Sequence, residues 1–130
     1  MSLPSVVTLI AETVTTAVTG QQFTAITGLT GVSFMTLEAT FAGTGGSTAY
    51  VVIRSRLSSA DTWREVARFD FSAAGAKWAP LTSASGGVAA FSALSSDSVL
   101  NGFLGSEYQA VLTSTGTWTS GLMTVKAHVR

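Results

Sequence analysis

The sequence predicts an all-β protein, an antiparallel β-sandwich of jelly-roll-like type with seven to nine short strands, and three observations carry that prediction. Ser and Thr make up more than a quarter of the chain and Gly another tenth, while the helix-forming residues Lys, Glu and Gln are scarce. Several stretches alternate apolar and polar residues with a period of two, the repeat of a half-buried strand. Glycine- and serine-rich turns separate those stretches at intervals of about 8 to 15 residues, the spacing of sandwiches and jelly rolls.

Near the start, residues 6–10 and 14–18 are Thr/Val segments that read either as first strands or as an extended arm. Residues 1–30 are accordingly set apart from a sandwich at 31–130 within one domain overall. The clearest alternation runs from Ser33 to Phe41, with Met35, Leu37, Ala39 and Phe41 on one side and Thr36, Glu38 and Thr40 on the other. Residues 42–47 form a turn by their glycine content. The next run, Ala49 to Arg56, puts Ala49, Val51 and Ile53 inward and Arg54 and Arg56 outward, so the two runs are expected to pair as a hairpin.

After a polar turn at 57–62, the run from Trp63 to Phe71 sets Trp63, Ala67, Phe69 and Phe71 opposite Arg64, Arg68 and Asp70. Residues 77–81 allow only a short extended piece, because Pro80 cannot donate to a ladder and belongs at a sheet edge. Residues 88–94 are expected to add a strand, and 95–102 a helical turn or a loop. Two extended runs, 108–113 and 122–129, complete the chain as a closing hairpin across 114–121. In the last run Met123, Val125, Ala127 and Val129 face one way and Thr124, Lys126 and His128 the other.

The 130 residues suit one domain able to bury an independent core, and a mean hydropathy of +0.42 excludes extended disorder. Seven basic and seven acidic side chains leave no net charge and no basic run, so there is no footprint for a nucleic-acid backbone. No cysteine is present to hold zinc or act as a nucleophile. No apolar stretch reaches the length that spans a bilayer, and residues 1–20 lack the basic start and apolar core of a secretory leader, so a cytoplasmic, soluble product is expected.

Chemistry finds few candidates. His128 is the single histidine; a triad would need it beside a Ser and a carboxylate, but it sits on the polar side of the last run and reads as an exposed strand residue. The seven carboxylates are dispersed, with neither the spacing of a calcium loop nor a glycosidase pair. Residues 43–46, Gly-Thr-Gly-Gly, are followed by a strand and not by the helix that a phosphate loop requires. No catalytic residue, metal ligand or cofactor is therefore assigned. Trp63 and Trp78 are expected in core or rim packing. Trp118, placed in a Thr/Ser/Gly turn, is a candidate partner contact, together with Val6, Val7, Leu9 and Ile10 of an arm that would add a strand to a neighbour.

Three segments carry a resemblance: residues 41–53 (Phe-Ala-Gly-Thr-Gly-Gly-Ser-Thr-Ala-Tyr-Val-Val-Ile), residues 62–71 around Trp63, and residues 108–117 (Tyr-Gln-Ala-Val-Leu-Thr-Ser-Thr-Gly-Thr). Their order, across residues 32 to 130, resembles that of the small structural proteins of tailed bacteriophage virions. The resemblance implies a β-sandwich without enzymatic activity that coats or completes a virion, often as a trimer. It further implies a head decoration or cement protein, with the major capsid protein and copies of itself as partners, assembled in the host cytoplasm. Two rival functions remain: a carbohydrate- or receptor-binding module of a tail or fibre, which would expose Trp rings for stacking on sugars, and a small hydrolase, which would need His128 to meet a carboxylate and a nucleophile in one cleft.

Low charge agrees with assembly on separate grounds. A neutral surface of small residues is poorly suited to a free protein but packs against its own copies without like-charge repulsion.

Overall fold

In the computed structural model, which describes residues 5–84 and 88–130, the chain forms nine strands and no helix among the described residues. They are β1 (Ser5–Val14), β2 (Val18–Gln22), β3 (Phe34–Thr44), β4 (Thr48–Arg56), β5 (Arg64–Phe71), β6 (Gly75–Thr82), β7 (Ser98–Val99), β8 (Glu107–Thr115) and β9 (Thr119–Val129). Two antiparallel sheets result, ordered β1-β9-β3-β6 and β2-β8-β4-β5-β7.

The two orders explain each other. The consecutive pairs β1/β2, β3/β4, β5/β6 and β8/β9 each cross from one sheet to the other. They stand side by side in the same sequence in both sheets, which is a long antiparallel ribbon rolled on itself. The jelly-roll-like sandwich expected from the alternation is the observed architecture.

The core lies between the sheets and is filled from the inward position of every second residue. Met35 and Leu37 of β3, Met123 and Val125 of β9 and Leu81 of β6 meet Val51 and Ile53 of β4, Phe69 of β5 and Leu112 of β8, all buried.

Two expected hairpins are corrected. The runs at 33–41 and 49–56 do not pair, nor do those at 108–113 and 122–129; each pair is split between the sheets. Period-two patterning says which residues face the core but not which strand lies alongside, and here both apolar faces meet across the core. The connections are arches, with Gly45 and Gly116 at positive φ of 94° and 81°. Trp118 packs beneath them, edge-on to Phe41 at 4.8 Å between ring centroids.

Three further differences have local causes. Residues 88–94 form no strand; they lie largely exposed, tied by Leu94 N–H to the Glu65 carboxylate (2.8 Å) and by Phe91 against Phe103. A run of alanines buries too little to hold an edge, and the two-residue β7 takes that place, within the stretch where a helical turn or a loop was expected. The short piece at 77–81 is part of an eight-residue strand, β6, paired along its length with β3. It is an edge, as Pro80 requires.

The third difference concerns Trp63. A bulge at Val66 aligns Ile53 with Ala67 but Arg54 with Glu65, so Val66 and Ala67 both turn inward. Every residue before the bulge changes sides. Trp63 therefore leaves the core face and lies half-buried against Arg54 and Arg56 on the outside.

Candidate assembly face

The outer faces of the two sheets differ in chemistry. On the second sheet, the charged side chains are engaged by polar and aromatic neighbours. Arg56 donates to Glu107 (2.8 Å) while its guanidinium lies 4.1 Å from the Trp63 ring centre. Arg54 donates to the Gln109 side-chain oxygen, and Arg68 grips Asp70 with two bonds of 2.9 and 3.0 Å beneath Tyr50. The Asp70 bond holds the Arg68 guanidinium above its ordinary pKa; burial lowers that of Arg54. Arg56 and Arg68 are thus neutralised by carboxylates, while Arg54 has a neutral partner and its buried Nε has none among the described residues.

The first sheet's outer face is built differently. Its registers place side chains in rows across the order β1, β9, β3, β6. The rows are Val6–His128–Thr36–Pro80, then Thr8–Lys126–Glu38–Trp78, then Ala11–Thr124–Thr40–Ala76, and a last row of Thr13–Leu122–Ala42. Among these positions only His128, Lys126 and Glu38 titrate. Five are threonines, whose β-branched side chains suit a pleated surface. Three large apolar groups stand in the open: Val6 at 65% exposure, Trp78 at 72% and Leu122 at 45%. Lys126 and Glu38 lie directly opposite on β9 and β3 at the centre, yet neither enters an ion pair among the described residues.

The five expected partner contacts separate accordingly. Val6 points outward and belongs to this face. Val7 is half-buried, packed on the core. A bulge in β1 between Thr8 and Ile10 turns both Leu9 and Ile10 inward, where they are 5% and 3% exposed. Trp118 is equally buried at 3%, closing the end of the sandwich, and its backbone N–H donates to Thr15 O at the corner between β1 and β2 (2.8 Å). Leu9, Ile10 and Trp118 are thus corrected from surface contacts to core residues. As for the arm, residues 5–14 are the edge strand of the first sheet, paired with β9 from Ser5 opposite Val129 to Val14 opposite Gly121.

Trp78 is corrected as well. Ala79 and Leu81 turn inward from β6, which leaves Trp78 and Pro80 outside. Glu38, Lys126 and Leu122 were absent from the expected contacts. Their signal was in the sequence, because the outward sides of the runs at 33–41 and 122–129 set one acidic and one basic residue, Glu38 and Lys126, among threonines.

A groove of about 640 Å³ opens between β6 and the β5/β7 edge of the second sheet, lined by Arg68, Lys77, Trp78, Pro80, Asp97 and Val99. Lys77 reaches across it to Asp97 (2.8 Å). Burial works to raise the Asp97 carboxyl, but the bonds from Lys77 and from Asp70 N–H outweigh it and hold the group below its ordinary pKa.

Among the described residues no three His, Cys, Asp or Glu side chains gather as a metal site would need, and no helix is long and apolar enough to cross a membrane. His128 stands exposed between Val6 and Thr36. Compared with known proteins, the chain matches no family model and no curated protein.

Proposed function

We propose that this chain is a bacteriophage virion structural protein, a decoration or cement protein of the head, which works without enzymatic activity by packing against copies of itself and the capsid shell. The observation that carries the reading is the outer face of the first sheet, where Val6, Trp78 and Leu122 stand exposed among threonines and three titratable groups. Such a face gains from leaving water, and a rigid sandwich presents it without cost in ordering. Many weakly joined copies on a symmetric shell would have to separate together before the shell could rupture. The protein would assemble onto particles in the host cytoplasm, with the major capsid protein as principal partner.

The test is co-sedimentation of the purified chain with phage heads and, separately, with tails. Binding to heads that is lost in Val6→Glu and Leu122→Glu, both exposed and compatible with the fold, supports the reading. Retention of both variants on heads overturns it.

Trp78 favours one other reading, a carbohydrate- or receptor-binding module of a tail or fibre. An open indole on an edge strand beside a groove with Lys77 and Asp97 suits stacking on a sugar ring. Loss of glycan retention in Trp78→Ala, with tail and not head binding, would favour it.

A further inference from the structure

Resting on the reading of an assembling structural protein, we infer that the outer face of the first sheet packs on the same face of a second copy, about a two-fold axis that runs parallel to the strands between β3 and β9.

The inference follows from where the charges sit. Glu38 and Lys126 are the central pair of the face, side by side on adjacent strands and without an ion-pair partner in their own protomer among the described residues. A rotation about an axis along the strands keeps each row in place and exchanges β9 with β3 and β1 with β6. Lys126 then meets Glu38 of the second copy, and Glu38 meets its Lys126, so both charges are satisfied twice across one interface. An axis across the strands through this row would set Glu38 on Glu38 and Lys126 on Lys126, against like-charge repulsion, and one at the middle of the face would set Glu38 on Thr40 and Lys126 on Thr124, leaving both charges unpaired.

The rest of the face agrees with the first axis. Val6 is brought onto Pro80 of the second copy, Ala11 onto Ala76, and Trp78 onto Thr8, so a large group meets a smaller one and two alanines meet each other. The four columns stand about 4.8 Å apart and the rows about 6.8 Å, a footprint of roughly 500 Å² per copy, so a dimer buries on the order of 1,000 Å² in all. That is the lower end of specific interfaces. The contact is therefore expected to be reversible at micromolar concentration, suited to subunits that lock only when a shell aligns them. Stacked sheets keep their strands within about 30° of each other, which an axis along the strands provides.

Sedimentation velocity on the full chain over a wide concentration range tests this. The expected result is a monomer–dimer equilibrium with a blue shift of tryptophan emission on association, as Trp78 is covered. Glu38→Lys and Lys126→Glu should each weaken the dimer tenfold or more. The double variant should restore it, and an equimolar mixture of the two single variants should form a heterodimer in preference to either homodimer. A chain monomeric at every concentration, or a dimer indifferent to both substitutions, overturns the inference. Co-sedimentation with heads separates the two levels: a monomer that binds heads removes the two-fold contact and leaves the virion reading, whereas a charge-dependent dimer indifferent to heads and tails does the reverse.

Discussion

Gly46 lies against the indole of Trp118 so closely that a Cβ there would stand 2.1 Å from Cε2. The ring is buried and held on its other side by Phe41, so it cannot yield. Gly46→Ala is expected to lower stability by about 2–3 kcal/mol through overpacking, read as a fall in the urea midpoint with an unchanged slope. Trp118→Ala, which empties the same space, should cost about 3–5 kcal/mol. A second residue-scale prediction concerns Tyr108, wholly buried on β8, whose phenol burial pushes up to about 12. The unfolded chain ionises this group near pH 10, so the fold holds the neutral phenol longer. The stabilisation is complete below pH 10 and is lost as pH rises toward 12, by on the order of 2 kcal/mol. Denaturant midpoints followed from pH 9 to 12 should fall less steeply in Tyr108→Phe than in the parent chain.

Strand by strand, protection follows position in the sheet. β9 is flanked by β1 and β3, and β4 by β8 and β5, whereas β7 has one neighbour and two residues. Hydrogen exchange should be slowest in β9 and β4 and fastest in β7. Asp97→Asn, which removes the anchor of Lys77 and weakens the bond to Asp70 N–H, should speed exchange at residues 97–99 and leave β9 unaffected. Its cost to global stability should stay below about 1 kcal/mol, because both partners of the ion pair are substantially exposed. At this scale the sequence was readable wherever alternation was uninterrupted. β3 and β9 could be assigned face by face from Met35 to Phe41 and from Met123 to Val129. Reading failed at Trp63, since one extra residue in a bulge reverses the side of everything beyond it, and at Leu9 and Ile10, since nothing local marks residues 5–14 as the partner of a strand more than a hundred residues away. It failed again at 88–94, where alanines fit strand and coil alike.

For the whole molecule, the division of labour between two outer faces was only half legible. That low charge implied contact was visible in the composition. Which residues make up the charge-poor face was not, because it depends on β9 lying between β1 and β3, a non-local pairing that no short window contains. If the first sheet's face is the assembly surface, a negative charge placed there should affect association and spare the monomer. Thermal unfolding of Val6→Glu at low protein concentration is accordingly expected within about 0.5 kcal/mol of the parent, while its association is lost.

The seat of β9 has a bearing on biosynthesis. β9 lies between β1 and β3 in the first sheet, so β1 has no partner strand until a segment more than a hundred residues further along the chain has been made. At about 5–20 residues per second, the stretch from the end of β1 to the end of β9 takes roughly 6 to 23 seconds to make, during which an apolar strand awaits closure. A chain cut short before residue 119 is expected to be insoluble, and a ribosome that pauses between β1 and β9 is expected to leave its product in need of a chaperone.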